Sequence, residues 1–262
     1  MLRFFFILFF ILLTSFNKVE PLKAILIVGQ QEDGTIDAIK EMDDISKFLE
    51  SKGVICYKFY DDKAIWNNII KISPDCNFLL YMGHGTTLGK NNSYGGFCIH
   101  ERVSSQMISQ QLKLKPNSLI LMQSVCGASG TSASDKKDIG IIEAKKRVLS
   151  YSEPFFDCGA LGYYSSNYKQ SSKKFLQEFF EGKSLEEIYN KSASLFTQIE
   201  FDSPHIKTNM RYSIASRKPK EKEWTIYIWE NGVKRAEKIP SSKTYEIAYV
   251  GIPSFTINDM KK

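Results

Sequence analysis

The chain alternates between short apolar runs and longer segments in which apolar residues recur every three or four positions. Lys23-Ala-Ile-Leu-Ile-Val-Gly29 is a continuous apolar run closed by glycine, which predicts a strand buried on both faces. Ile36, Ile39, Met42, Ile45, Phe48 and Leu49 follow at helical spacing, ended by Lys52-Gly53. Val54 to Tyr60 predicts a second strand, and Ile65, Trp66, Ile69, Ile70 and Ile72 a short helix stopped by Ser73-Pro74. Phe78 to Met82 predicts a third strand. Tyr94 to Ile99, with Gly95-Gly96, reads as a small hairpin arm. Val103, Met107, Ile108, Leu112 and Leu114 mark another helix before Lys115-Pro116, and Ser118 to Met122 a fourth strand. Residues 127–150, rich in Gly, Ser, Thr and Lys at first, read as a long mobile loop. Ala160 to Ser165 predicts a fifth strand. Phe175, Leu176, Phe179 and Phe180 form one helix face, and Leu185, Ile188, Tyr189, Leu195, Phe196 and Ile199 the next.

Strands and helices in this alternation predict an α/β fold. Its central sheet should be mainly parallel, with right-handed crossovers and helices on both faces. From about residue 201 the texture changes. Trp224 to Trp229, the turn pair Asn231-Gly232, and Tyr245 to Val250 alternate as strands do. The chain is therefore divided into a main domain over 23–200 and a small β annex over 201–262. Residues 207–238 carry nine Lys/Arg and four Asp/Glu, so the annex is basic, most simply as a solvated face.

Residues 1–22 differ from the rest. One arginine, a ten-residue apolar run from Phe4 to Leu13, and the polar exit Thr14-Ser15-Phe16-Asn17 are the anatomy of a signal peptide. The run is short for a spanning helix, which needs about 20 apolar residues. Export to the periplasm or the extracellular space is expected, with an uncleaved membrane anchor as the alternative. An exported chain meets an oxidising compartment. Five cysteines is an odd count, so at least one thiol stays unpaired within the chain; Cys126 is nominated. Cys56, Cys76, Cys98 and Cys158 are read as buried thiols, with pairing among them left open.

With 262 residues, 43% of them apolar, the chain builds a sizeable core, which excludes disordered and low-complexity classes. A net charge of +6 is too mild to argue for nucleic acid. The sequence contains neither a GxGxxG nor a GxxxxGK phosphate cradle. A zinc site from His84, Cys98 and His100 lacks a helical His pair, and no metal or cofactor is expected.

Two predicted strands end in unusual residues. The third runs into Gly83-His84-Gly85, and the fourth into Gln123-Ser124-Val125-Cys126-Gly127. In an open parallel sheet the crevice lies beyond the carboxyl ends of the strands. Neighbouring strands would bring both tips to it, and the 42 positions between His84 and Cys126 leave room for one crossover. A thiolate is the reactive form of cysteine, and an adjacent imidazole generates it. Glycines on both sides of His84 leave room for a substrate backbone. The Gly85 and Cys126 N–H groups are the expected oxyanion donors.

Leu79-Leu-Tyr-Met-Gly-His-Gly85 and Leu119-Ile-Leu-Met-Gln-Ser-Val-Cys-Gly127 resemble the two signature strands of the caspase-like peptidases grouped as clan CD. That group holds caspases, legumain, clostripain, gingipains and the related CHAT domains. Cys158-Gly-Ala-Leu-Gly-Tyr-Tyr164, followed by a helix and Glu181-Gly-Lys-Ser-Leu-Glu-Glu187, is similar to the gingipain and CHAT pattern. The resemblance covers about residues 23–200 and implies a three-layer caspase-like sandwich with a His84/Cys126 dyad. Val125 stands where many members have alanine. Ser124 stands where the family often has an acidic residue or Gln shaping the specificity pocket. Ser124, Tyr164, Ser165, Ser166 and Asn167 are the expected pocket lining, with a neutral or small-polar preference; Asp157 is the one nearby source of charge considered. Glu32 and Asp33 are candidate acidic partners for the histidine.

Two readings follow. The first is an exported cysteine endopeptidase acting on protein or peptide substrates through a thioester acyl-enzyme. The second is a non-catalytic caspase-like module that binds a protein partner through the basic C-terminal region.

Overall fold

The computed structural model describes residues 20–31, 34–86, 94–201, 209–217, 223–230, 233–240 and 243–261. Most of the leader expected over 1–22, Glu32 and Asp33, and the Asn231-Gly232 turn lie outside the described residues.

The expected strands form at the apolar runs: β1 (Lys23–Val28), β2 (Ile55–Tyr60) and β3 (Phe78–Met82). The hairpin arm is β4 (Gly96–Cys98) with β5 (Arg102–Ser104), so its turn falls later than the glycine pair. Next come β6 (Ser118–Gln123) and β7 (Ala160–Ser166), then β8 (Thr197–Phe201), β9 (Arg211–Arg217), β10 (Glu223–Glu230), β11 (Val233–Pro240) and β12 (Thr244–Gly251). The helices are α1 (Thr35–Ser51), α2 (Trp66–Ile72), α3 (Ser105–Gln111), α4 (Gly140–Asp157), α5 (Ser171–Phe180) and α6 (Leu185–Ser192).

One sheet of eight strands runs in the order β2-β1-β3-β6-β7-β12-β9-β8. The first five are parallel, and β12, β9 and β8 continue the sheet by antiparallel pairing. Along β3, Leu79 and Tyr81 enter one core while Phe78, Leu80 and Met82 enter the other. That alternation is why the run is apolar at every position. The first core lies under α2, α3 and α4 and the second under α1, α5 and α6, giving three layers. Burying one such Leu or Met side chain contributes roughly 1.5–3 kcal/mol.

Three expectations are corrected. The long loop of 127–150 is a loop only to residue 139; from Gly140 it is the eighteen-residue helix α4. Ala144, Val148, Tyr151 and Phe155 are its buried stripe, while Lys145 and Lys146 point outward. The Gly/Ser/Lys leader and the internal Pro154 obscure that period in the sequence. The helix expected over 185–199 ends at Ser192, and Thr197–Phe201 is the edge strand β8. Finally, the boundary at residue 200 falls inside the sheet. β8, β9 and β12 belong to it, and only β10 and β11 pair as a separate ribbon. The antiparallel strands β9 and β12 bury both faces, a load the sequence pattern alone did not separate from an independent annex.

Candidate active site

His84 and Cys126 sit beyond the carboxyl ends of two neighbouring strands. β3 and β6 pair in parallel with Met82 beside Gln123, so both tips emerge together. A cleft of about 950 Å³ opens there, lined by His84, Gly85, Cys126, Cys98, His100 and Lys234 among others. His84 is exposed to it and Cys126 half-buried.

The two tips are fixed by their backbones. The Tyr81 hydroxyl lies 2.7 Å from the His84 carbonyl, which also accepts the Cys98 N–H at 3.3 Å. The Tyr151 hydroxyl donates to the Cys126 carbonyl at 2.9 Å. Both phenols are buried, and burial holds each well above its usual pKa, so both stay protonated donors. In the sequence Tyr81 is one more apolar strand position, and Tyr151 follows directly on the expected loop of 127–150. An aromatic two residues before the glycine that precedes His84 was the available signal for the first; the stripe Ala144, Val148, Tyr151 and Phe155 was the signal for the second.

Gly85 packs directly on the Cys126 carbonyl and the Tyr151 hydroxyl, so closely that a Cβ would overlap both. Gly127, at φ +85, turns the chain straight after Cys126. Its N–H donates to the Thr131 carbonyl at 3.0 Å. Ala128 presents its carbonyl to the Tyr163 and Ser165 hydroxyls, each at 2.9 Å. The turn is thus tied to β7 while the Gly85 and Cys126 N–H groups have no acceptor among the described residues.

The loop that follows is anchored to α4. Arg147 donates to the Gly130 carbonyl at 3.2 Å and to Asp135 at 2.8 Å, and pairs with Glu143 at 3.1 Å. The Asp135 carboxylate also accepts the Ser132 N–H at 2.7 Å.

The expected pocket residues divide. Ser124 and Asn167 line a smaller cavity beside Cys126. Ser124 takes φ +55, and its N–H donates to the Ser166 carbonyl at 2.8 Å. Tyr164 does not reach the cleft. It points into the opposite core and stacks on Phe175 with centroids 4.6 Å apart, because adjacent residues of a strand face opposite ways. Ser165 and Ser166 are buried, and act by supporting the cysteine turn rather than by lining a pocket. Asp157 ends α4 at the far end of β7 from the tips, where it accepts from the Ser109 hydroxyl at 3.2 Å. It therefore supplies no charge to the cleft. Glu246, from β12, lines the smaller cavity instead, although it lies in the segment expected to form the annex.

All five cysteines stand as free thiols. Burial pushes Cys76 and Cys158 up to about 12, and raises Cys98 and Cys56 as well. His84, Cys98 and His100 share the cleft, but among the described residues no three His, Cys, Asp or Glu side chains converge as metal ligands. Among the described residues no helix is long and apolar enough to cross a membrane. No protein-family model matches the chain, and no curated protein matches it.

Proposed function

We propose that this chain is an exported cysteine endopeptidase of the caspase-like kind, with His84 and Cys126 as its dyad. The observation that carries the reading is the shared cleft: imidazole and thiol emerge from adjacent parallel strand tips onto one open groove, beside two unengaged backbone N–H groups. A buried structural thiol has no need of either.

His84 takes the proton from the Cys126 sulfur, which attacks the scissile carbonyl carbon. The carbonyl π pair moves to oxygen, and the Gly85 and Cys126 N–H groups stabilise that oxyanion. As the tetrahedral species collapses, the C–N bond breaks and His84 protonates the leaving amine. Water, deprotonated by His84, then cleaves the thioester and restores the thiol. The Tyr81 and Tyr151 hydroxyls hold the two carbonyls, so the turn geometry is set before substrate arrives.

The test is to treat the intact protein with a peptidyl acyloxymethyl ketone and map the adduct by mass spectrometry. A single adduct on Cys126, absent in Cys126→Ala and strongly slowed in His84→Ala, is expected. Labelling of another thiol, or no labelling, overturns the reading.

A further inference from the structure

Beside Cys126 a second cavity of about 260 Å³ opens, lined by Ser124, Cys126, Thr131, Ser132, Asn167 and Glu246. It is smaller than the roughly 300–1,000 Å³ typical of a small-molecule site, so it suits a single side chain. Glu246 is its one carboxylate.

The backbone is built to aim that carboxylate. The pairing of β12 with β9 slips between Tyr245 and Ile247. Tyr245 belongs to the core under α4 and Ile247 to the opposite core, although they are two positions apart. Glu246 is therefore the extra residue of a β-bulge, outside the regular alternation of core-facing positions along β12. Its Oε2 accepts from Asn167 Nδ2 at 3.0 Å, its carbonyl accepts the Asn167 N–H at 2.9 Å, and Asn167 Oδ1 in turn accepts from the Ser129 hydroxyl at 3.0 Å. Among the described residues Oε1 has no hydrogen-bond partner and no Lys or Arg forms a salt bridge with Glu246. Arg217, on the strand beside the bulge, lowers the Tyr168 pKa while Glu246 raises it, so both charges lie near that phenol.

We propose that this cavity receives the substrate side chain on the acyl side of the cleaved bond, and that Glu246 makes it select lysine or arginine. This rests on the peptidase reading above. The residue whose carbonyl is attacked is the one held closest to the Cys126 sulfur, so its side chain is the one that a cavity sharing Cys126 can take. A guanidinium or ammonium group meets Glu246 Oε1 and the Thr131 and Ser132 oxygens. A carboxylate at the wall of this cavity attracts a cationic guest and repels an anionic one. This replaces the neutral preference expected from Ser124 alone.

The experiment uses the full chain and fluorogenic peptides that differ only in the residue before the reporter: Arg, Lys, Gln or Asp. Arg and Lys peptides are expected to exceed Gln in kcat/KM by about 100-fold, with Asp slowest. Glu246→Gln keeps the acceptor for Asn167, and its melting temperature checks the fold. It should cut the Arg-to-Gln ratio by roughly 10- to 100-fold, and Glu246→Lys should move the preference towards Asp. Turnover that Cys126→Ala abolishes, but whose Arg-to-Gln ratio Glu246→Gln leaves unchanged, overturns the pocket assignment and leaves the peptidase standing. No turnover of any peptide, with no adduct on Cys126, overturns the peptidase and the pocket with it.

Discussion

The hydroxyl of Tyr151, in the middle of α4, donates to the main-chain carbonyl of Cys126 across 2.9 Å. The bond ties the cysteine's carbonyl to the packed face of α4, while Cys126 itself lines the cleft. Tyr81 treats His84 in the same way from within β3. The candidate nucleophile and base are thus each held by the carbonyl of their own residue, from two different layers of the fold.

Tyr151→Phe removes one donor and leaves a buried carbonyl short of a partner. A loss of about 1–3 kcal/mol in unfolding free energy is expected from urea denaturation. If the cysteine turn depends on this bond, kcat on a peptide substrate falls about tenfold while KM changes little. Unchanged kcat in a destabilised variant would reduce Tyr151 to a packing role.

Gly85→Ala tests the oxyanion assignment. The added methyl overlaps the Cys126 carbonyl, a backbone atom that cannot rotate aside, so the two tips must move apart. Losing one aligned N–H donor costs roughly 10²–10³-fold in kcat. The variant should keep its far-ultraviolet circular dichroism and still be alkylated at Cys126. Wild-type kcat in Gly85→Ala would remove that N–H from the mechanism.

The five thiols are expected to react in a definite order. Cys126 faces an open cleft, whereas burial holds Cys76 and Cys158 near 12 and keeps their thiolate fraction negligible at neutral pH. Brief treatment of the native protein with iodoacetamide at pH 7.5, followed by peptide mapping, should modify Cys126 first. Cys76 and Cys158 should react only after denaturation. Early modification of either would contradict the packing described for them.

The parallel half of the sheet was legible because both its faces are buried, which writes an unbroken apolar run at each strand. The tips were legible because His84 and Cys126 each follow such a run beside a glycine. Three things were not. The helical period of α4 is diluted by Lys145, Lys146 and Pro154 and preceded by a turn-rich loop. β12 pairs with β7 across more than 80 residues of sequence and β9 with β12 across roughly 30–40, and no local pattern encodes a partner. Glu246 reaches the cavity through a one-residue slip in pairing, and a bulge cannot be read from alternation when the flanking residues, Tyr245 and Ile247, are both apolar.

Arg147 joins stability to the loop that walls the cleft. Its side chain is 9% exposed and that of Asp135 10%, and one guanidinium serves Asp135, Glu143 and the Gly130 carbonyl. Arg147→Ala leaves a buried carboxylate unpaired and should destabilise the fold by roughly 3–5 kcal/mol. The same cluster predicts an acid limb. Burial pushes the Glu143 carboxyl up, but Tyr94 and Arg147 outweigh it and hold the group below its ordinary value of 4.5. The unfolded chain therefore binds this proton more readily than the native one. The stabilisation is complete above about pH 5 and disappears as pH falls through the lower native value. Melting temperature should drop as pH falls below about 5, and drop less steeply in Glu143→Gln, which has already lost the titrating group. Equal slopes in the two proteins would show that Glu143 does not link protonation to this loop.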